Sequence, residues 1–348
     1  MSLLFSPLTV KTLRLKNRIV MPPIVTNYGV ETERARAYYA ARARGGAGLI
    51  IVEGTLTWRL NKPEFVEALR LLAGAIHAGG AAAGLQLFEF GYLPKTQEMI
   101  APSESGFMRA ATVEEIEAAI AQFGVAAGKA REAGFDIVEV HGAHGYFTSQ
   151  FFSPGANHRD DAYGGDLPRR MAFGLGIVRA MRAAVGPDFP LAFRFSALEY
   201  SAGGPALEES IAFARALEAA SVDILDVSAG HTMESRFISS PARKLPMGTH
   251  ADLAAAVKKQ VSVPVIAVGR INTPKVAERI LASGQADLVA IGRQLFCDAD
   301  WPRKAREGRT DEIIACKSCN KGCAMSVGKG QPIYCITNPL AGREYEQA

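Results

Sequence analysis

Cysteine is scarce in this chain of 348 residues, with only five in all. The sequence also lacks apolar runs of membrane-spanning length, basic runs, low-complexity linkers and convincing short repeats. Each absence removes a class of protein. A bilayer-spanning helix needs about twenty consecutive apolar residues. A net charge of +4 with no basic cluster gives nucleic acid no electrostatic footprint. The dinucleotide fingerprint is missing too: Gly174-Leu175-Gly176 lacks a third glycine and sits inside a helical pattern, which reads as helix packing. Met1-Ser2-Leu3-Leu4-Phe5 runs straight into a Pro-containing strand pattern, so no secretory leader is expected. The expectation is a cytoplasmic protein whose thiols stay reduced.

Four of the five cysteines fall together. Cys316, Cys319, Cys323 and Cys335 follow a C-x2-C-x3-C-x11-C spacing, and Cys297 stands apart. The short gaps let a single loop turn several sulfurs inward on one centre, either an Fe–S cluster or zinc. A metal centre is therefore expected here rather than four structural thiols.

Eight short apolar runs alternate with amphipathic stretches. They are 18–23, 48–54, 82–88, 136–143, 191–197, 223–230, 264–269 and 288–293. Continuously apolar strands suit a parallel sheet covered on both faces. Thr112-Val113-Glu114-Glu115 reads as a capping box opening a helix over 112–131. Thr273-Pro274 supplies an N-cap with Pro at the first helical position. Gly45-Gly46, Gly79-Gly80 and Gly284 mark helix ends. With 48% hydrophobic residues the chain can bury a large core. Eight β-α units of this size predict an α/β fold, a (β/α)8 TIM barrel, with an open doubly wound sheet as the alternative. The barrel is expected over 1–308 and a four-cysteine extension over 309–348.

In such a barrel the chemistry lies at the C-terminal ends of the strands. The fourth run ends in His141-Gly142-Ala143-His144-Gly145-Tyr146. Two imidazoles so close at a strand end can donate to one oxyanion, and Tyr146 adds a proton donor. Hydrogen-bonded structural roles and a His–His metal site are the competing readings. The last two runs end in Gly269-Arg270 and Gly292-Arg293. The loops after strands seven and eight form the phosphate cradle of this fold, where glycine admits the phosphate and arginine binds it. Arg194, between Phe193 and Phe195, needs a buried partner, either a flavin edge or a structural carboxylate. Gln86 can bond both a carbonyl and a ring N–H.

These residues sit among longer matching segments. Phe5-Ser6-Pro7-Leu8, Lys16-Asn17-Arg18-Ile19-Val20, Gly48 to Glu53, His141 to Tyr146, Gln150 to Pro154, Asn157 to Asp160, Tyr163-Gly164-Gly165, Ala290 to Arg293 and the four-cysteine loop run almost end to end. Across them the chain resembles the old yellow enzyme family of FMN-dependent oxidoreductases. Its likeness is to the iron–sulfur branch that includes 2,4-dienoyl-CoA reductase. The resemblance implies FMN in the barrel mouth. Gln86 and Arg194 would lie on the isoalloxazine, Pro22, Pro23, Ile24 and Val25 would run beneath it, and Gly54 would sit alongside. Gly269, Arg270, Gly292 and Arg293 would hold the phosphate. His141 and His144 would bind a substrate carbonyl oxygen and Tyr146 would protonate carbon, with His231 as a further active-site histidine. The four cysteines would bind one [4Fe-4S] cluster.

The implied activity is reduction of the C=C bond of an α,β-unsaturated carbonyl compound. The electrons would come from NAD(P)H or from a separate donor such as a ferredoxin or flavoprotein reductase docking near 316–335. No nucleic-acid or membrane partner is expected, and a homo-oligomer is left open. Four departures from the family pattern stand out. Glu89 replaces an imidazole in Gln86-Leu87-Phe88-Glu89, and Val25 replaces Thr or Cys. The segments at 28–31, 57–64 and 91–101 look short, which thins the cap. The chain ends at Ala348, soon after Cys335, where dienoyl-CoA reductase continues into FAD and NADPH domains. An amine dehydrogenase or demethylase is a competing reading, weakened because Pro22–Val25 contain no cysteine to hold a flavin. A non-enzymatic flavin/Fe–S electron carrier is another, against which the His141, His144 and Tyr146 group argues.

Overall fold

The structure is a computed structural model that describes residues 2–231 and 234–346. The eight expected strands are β1 (Ile19–Met21), β2 (Leu49–Leu56), β3 (Ala82–Phe88), β4 (Ile137–Gly142), β5 (Leu191–Ser196), β6 (Ile224–Ser228), β7 (Val265–Ala267) and β8 (Leu288–Ala290). They are parallel throughout and close into one barrel in the order β1 to β8. The fold is a (β/α)8 TIM barrel. The open-sheet alternative is excluded by the pairing of β8 with β1.

Helices α1 (Glu33–Arg44), α2 (Pro63–Ala78), α3 (Val113–Glu132), α4 (Leu167–Val185), α5 (Leu207–Ala219), α6 (Ala251–Lys258), α7 (Pro274–Ala282) and α8 (Trp301–Arg306) surround it. Local chemistry sets their limits. Thr112 caps α3 while Glu115 returns to the Thr112 N–H, completing the expected box. Thr273 accepts from Val276 at the start of α7. Gly174 and Gly176 lie inside α4, where a Cβ would meet Phe213 at 2.8 Å and Ile120 at 2.8 Å. They are packing glycines, as their pattern predicts.

The barrel interior changes character along its axis. At one end Val20, Leu49, Ile51, Ile137, Ala192, Ile224, Ile266 and Leu288 form an apolar plug with Val10, Leu13 and Leu15. The last three belong to an N-terminal hairpin of Leu8–Val10 and Leu13–Leu15 that closes this end. Successive inward residues of a strand are two apart. Moving up by two from Ile137, Ala192 and Ile224 gives Glu139, Arg194 and Asp226, and then His141, Ser196 and Ser228. The mouth is therefore polar by register.

The segment after α8 is knitted onto that mouth. Ile333 N–H donates to Thr26 O at 3.0 Å, Tyr28 Oη donates to Ile333 O at 2.7 Å, and Asn338 Nδ2 donates to Cys297 O at 2.8 Å. Buried Arg42 of α1 lies 3.8 Å over the Tyr38 ring and pairs with Glu344. No described helix is long and apolar enough to cross a membrane.

Candidate active site

Four adjacent strands carry one polar ladder. Gln86 Nε2 donates to Glu139 Oε1 at 2.8 Å, across the register pair that joins β3 to β4. Arg194 stands opposite His141 on one side and Asp226 on the other. Its Nε is 3.5 Å from Asp226 Oδ2, close enough for an ion pair. Arg194 thus has the structural carboxylate that its apolar surroundings demanded. The ladder is nonetheless under-satisfied: Arg194 Nε, Glu139 Oε2 and both Asp226 oxygens make no hydrogen bond among the described residues. Burial raises the pKa of Glu139 and of Asp226, and for Glu139 the neighbouring Asp226 charge adds to the rise.

His141 sits above this ladder with a defined tautomer. Its Nδ1 accepts the Ala143 N–H at 3.3 Å, which leaves the proton on Nε2. Burial, aided by the Arg194 charge, pushes its pKa down to about 3. His141 is therefore a neutral imidazole presenting Nε2–H. His144 occupies left-handed backbone with φ +66°. Its N–H donates to Ser196 Oγ at 3.0 Å, and its Nε2 lies 2.7 Å from Ser228 Oγ. Burial holds this imidazole neutral too. Tyr146 is half-buried, its ring 5.1 Å from His141 and 4.8 Å from Phe88. His231 bridges to His144, and its ring lies where a Cβ on Gly145 would be. The four expected side chains thus converge on one mouth, although His144 Nε2 is engaged by Ser228.

Glu89 is buried and bonded to Thr57 Oγ1. Burial raises its pKa to about 7. Glu53 accepts from the Thr26 N–H at 2.8 Å and from the Thr26 hydroxyl, fixing the end of the Pro22–Val25 loop. Pro22 of that loop is buried, Pro23 and Ile24 are half-buried, and Val25 is exposed. A Cβ on Gly54 would come within 3.2 Å of Gln86 Oε1, so this glycine keeps the space beside Gln86 open.

The two Gly-Arg pairs lie after β7 and β8, as expected, but their arginines reach sideways. Arg270 Nη1 donates to Leu245 O, and its Nε is 3.4 Å from Ser318 Oγ. Arg293 Nη1 donates to Asn320 Oδ1 and Nη2 to Pro241 O at 2.7 Å. Gly269 has φ +117°, and a Cβ there would stand 2.6 Å from His250. A Cβ on Gly292 would meet Ile24 at 3.1 Å. Cys316, Cys319, Cys323 and Cys335 line one cavity together with Arg293 and Phe296. All five cysteines are free thiols, and Cys297 contacts Cys335 from the core side. Among the described residues no group of three His, Cys, Asp or Glu side chains stands in single-ion geometry.

The model of the NADH:flavin oxidoreductase / NADH oxidase family matches residues 3–312. The chain belongs to this family. The cysteine loop lies just beyond the matched span. An NADH oxidase from Thermoanaerobacter brockii is 42% identical, covering 98% of this chain and 56% of that protein. A cinnamate reductase from Clostridium sporogenes is 31% identical over 99% of this chain and 58% of its own length. A solved 2-naphthoyl-CoA reductase complex superposes with a TM-score of 0.92 at 28% identity, covering 99% of this chain and 58% of that one. The chain spans a little over half the length of these relatives. FMN fits the residues present: unsatisfied buried polar atoms on Arg194, Glu139 and Asp226, a glycine holding space beside Gln86, and two Gly-Arg pairs at one rim.

Glu139, Ser196, Asp226, Ser228, Glu199 and His250 are further polar residues at the barrel mouth or behind it that the pattern of apolar runs does not single out. The first four were detectable as polar residues at period two inside apolar strands. Glu199 is buried, accepting from Ser153 Oγ at 2.7 Å and Ser201 Oγ at 3.2 Å. His250, lodged against Gly269, offers no local sequence signal.

Proposed function

We propose that the chain reduces the C=C bond of α,β-unsaturated carbonyl compounds, using FMN and a [4Fe-4S] cluster. The observation that carries the reading is His141, a buried neutral imidazole whose Nδ1 accepts the Ala143 N–H, leaving the proton on Nε2, with its ring 5.1 Å from Tyr146. When bound, FMN supplies the hydride. His141 donates to the substrate carbonyl oxygen as negative charge develops there, and such a donor is worth about 3 kcal/mol. His144, braced by Ser196 and Ser228, orients this corner and adds a second imidazole. Tyr146 passes its phenolic proton to the α-carbon, and His231 lies beside it against Gly145. Gln86 and Arg194 would hold the flavin ring over Pro22–Val25 and Gly54. Gly269, Arg270, Gly292 and Arg293 would hold its phosphate.

Residues 309–348 would form the cluster unit and 1–308 the FMN barrel. Support for a cluster is the single cavity shared by Cys316, Cys319, Cys323 and Cys335. The lack of single-ion geometry is no obstacle, because a multi-iron centre spreads its thiolates wider than the ~2.3 Å radius of a zinc site. A cluster held by these four cysteines would supply single electrons. Ile333 is bonded to Thr26, so the cysteine segment abuts the loop expected under the flavin. A separate acidic donor protein fits this face. From Ile313 to Arg343 the chain carries Lys317, Lys321, Lys329 and Arg343 and no acidic residue. Tyr334, Ile336 and Met325 are exposed there.

The test is anaerobic stopped-flow mixing of the oxidised holoprotein with NADH and with NADPH, followed by an enone. Flavin bleaching reversed by the enone supports self-sufficient reduction by NAD(P)H. Bleaching by dithionite alone, still reversed by the enone, supports entry of electrons through the cluster. A dithionite-reduced flavin that no enone reoxidises refutes the reading.

A further inference from the structure

The mouth has an aromatic wall that the proposed chemistry does not use. Phe88 ends β3, and its ring lies 5.2 Å from His141 and 4.8 Å from Tyr146. Phe90 stands 4.3 Å from Phe88 and 5.6 Å from Tyr146. Three of these contacts are edge-to-face, the favourable geometry for aromatic pairs. Phe88 is 6% exposed, whereas Phe90 is 44% exposed at the rim.

The segment is held in place from both sides. Between the two rings Glu89 turns the other way, and its carboxyl is buried against Thr57. Thr57 in turn is fixed by Gln122 Nε2, which donates to its carbonyl at 3.1 Å. Just beyond, Gly91 O accepts the Ile100 N–H at 2.7 Å. Gly91 has φ +78°, and a Cβ there would collide with Ile100 and Phe147. Side chains two apart on extended chain share a face. Pinning Glu89 and Gly91 therefore leaves both rings on the side of His141 and Tyr146.

We propose that Phe88 and Phe90 select alkenes bearing an aryl group in conjugation with the double bond. The inference rests on the carbonyl-binding role given to His141. An oxygen held at His141, with the α-carbon at Tyr146, leaves the far substituent of the alkene beside these two rings. A planar aryl group offers them both face and edge. A saturated substituent of the same size has only apolar area to offer.

The test uses the holoprotein and two matched pairs of probes. Benzylideneacetone and its cyclohexyl counterpart report kcat/KM with dithionite-reduced protein. Their saturated products report affinity by calorimetry without turnover. The expected result is a preference for the aryl member of about tenfold in both measurements. Phe88→Leu and Phe90→Leu should each reduce that preference, read as the ratio of aryl to cyclohexyl values, severalfold. Phe90 is half-exposed, so its variant tests the proposal even where Phe88→Leu fails to fold. Equal aryl and cyclohexyl values in the unaltered protein overturn the proposal, as does a preference that survives Phe90→Leu. Aryl-selective binding without reduction of either alkene keeps the wall and refutes the ene-reductase reading.

Discussion

Arg293 donates through Nη1 to the side-chain oxygen of Asn320, joining the loop after the last barrel strand to the cysteine loop. Asn320 is itself held, since its Nδ2 donates to Ser240 O at 2.9 Å and its backbone adopts φ +61°. The arginine proposed to bind phosphate is therefore oriented by a residue lying between Cys319 and Cys323.

This link predicts an effect at a distance. Asn320→Ala should weaken FMN binding by about tenfold or more, since a hydrogen bond to a charged group contributes roughly 1.5–3 kcal/mol. Titrating the flavin-free protein with FMN measures it. An unchanged dissociation constant means that Pro241 and the backbone orient Arg293 unaided.

His141 makes a prediction about pH. Its folded pKa is about 3 against an ordinary 6.5. Between those values the unfolded chain binds the proton and the folded protein does not, so stability rises with pH across that window. The contribution is complete above about pH 6.5 and is lost as pH falls toward 3. The urea midpoint of the wild type should therefore fall relative to that of His141→Asn as pH drops from 7 to 4. Enone turnover should show no ionisation from His141 between pH 5 and 8. His141→Ala should cut kcat by about 10²–10³-fold, and His141→Asn, which restores an N–H, should recover part of it. Near-wild-type turnover in His141→Ala removes the residue from the mechanism.

Glu89 carries the opposite sign. Its folded pKa of about 7 lies above the ordinary 4.5, so the folded protein keeps a proton that the unfolded chain has lost. Stability from this group is present below about pH 4.5 and lost as pH rises through 7. Glu89→Gln keeps a partner for Thr57 and removes the buried charge. At pH 8 the variant should be more stable than the wild type, by at most about 3 kcal/mol, with the gain gone near pH 4.5. A difference that does not change with pH would mean that burial leaves the Glu89 pKa at its unfolded value.

Much of this architecture was legible in the sequence because strand cores and helix caps are local. All eight apolar runs became barrel strands, and Thr112 with Glu115 fixed the start of α3. The second run extends past its expected end, to Leu56, because an irregularity between Val52 and Thr55 carries the pairing with β3 further. The small sheet of Tyr92–Leu93, Glu98–Ala101 and Arg109–Ala110 was missed, since strands so short have no period to detect. His141, His144 and Tyr146 share one short stretch and their rings meet in space, but the partners of His144 come from β5 and β6, far away in sequence. The same holds for Arg270 and Arg293. Their places were readable from the fold, whereas their turn toward Ser318 and Asn320 depends on where the tail lands.

The fifth cysteine separates a cluster from a set of packed thiols. Cys297 is fully buried and touches Cys335 from the barrel side, whereas the other four thiols share the cavity at the surface. A protein that used its cysteines only for packing should suffer most from losing Cys297, since a buried cysteine behaves as a small hydrophobe. A cluster protein should lose iron and acid-labile sulfide when Cys316, Cys319, Cys323 or Cys335 is changed to Ala, and retain both in Cys297→Ala. Anaerobic reconstitution followed by iron and sulfide assay, at about four of each per chain in the unaltered protein, measures this directly. Cys319 is the most exposed of the four. Its replacement leaves the core untouched, so iron loss in Cys319→Ala with an intact far-ultraviolet spectrum reports ligation rather than misfolding. Iron retained in Cys319→Ala and lost in Cys297→Ala reverses the assignment and moves the centre toward the barrel core.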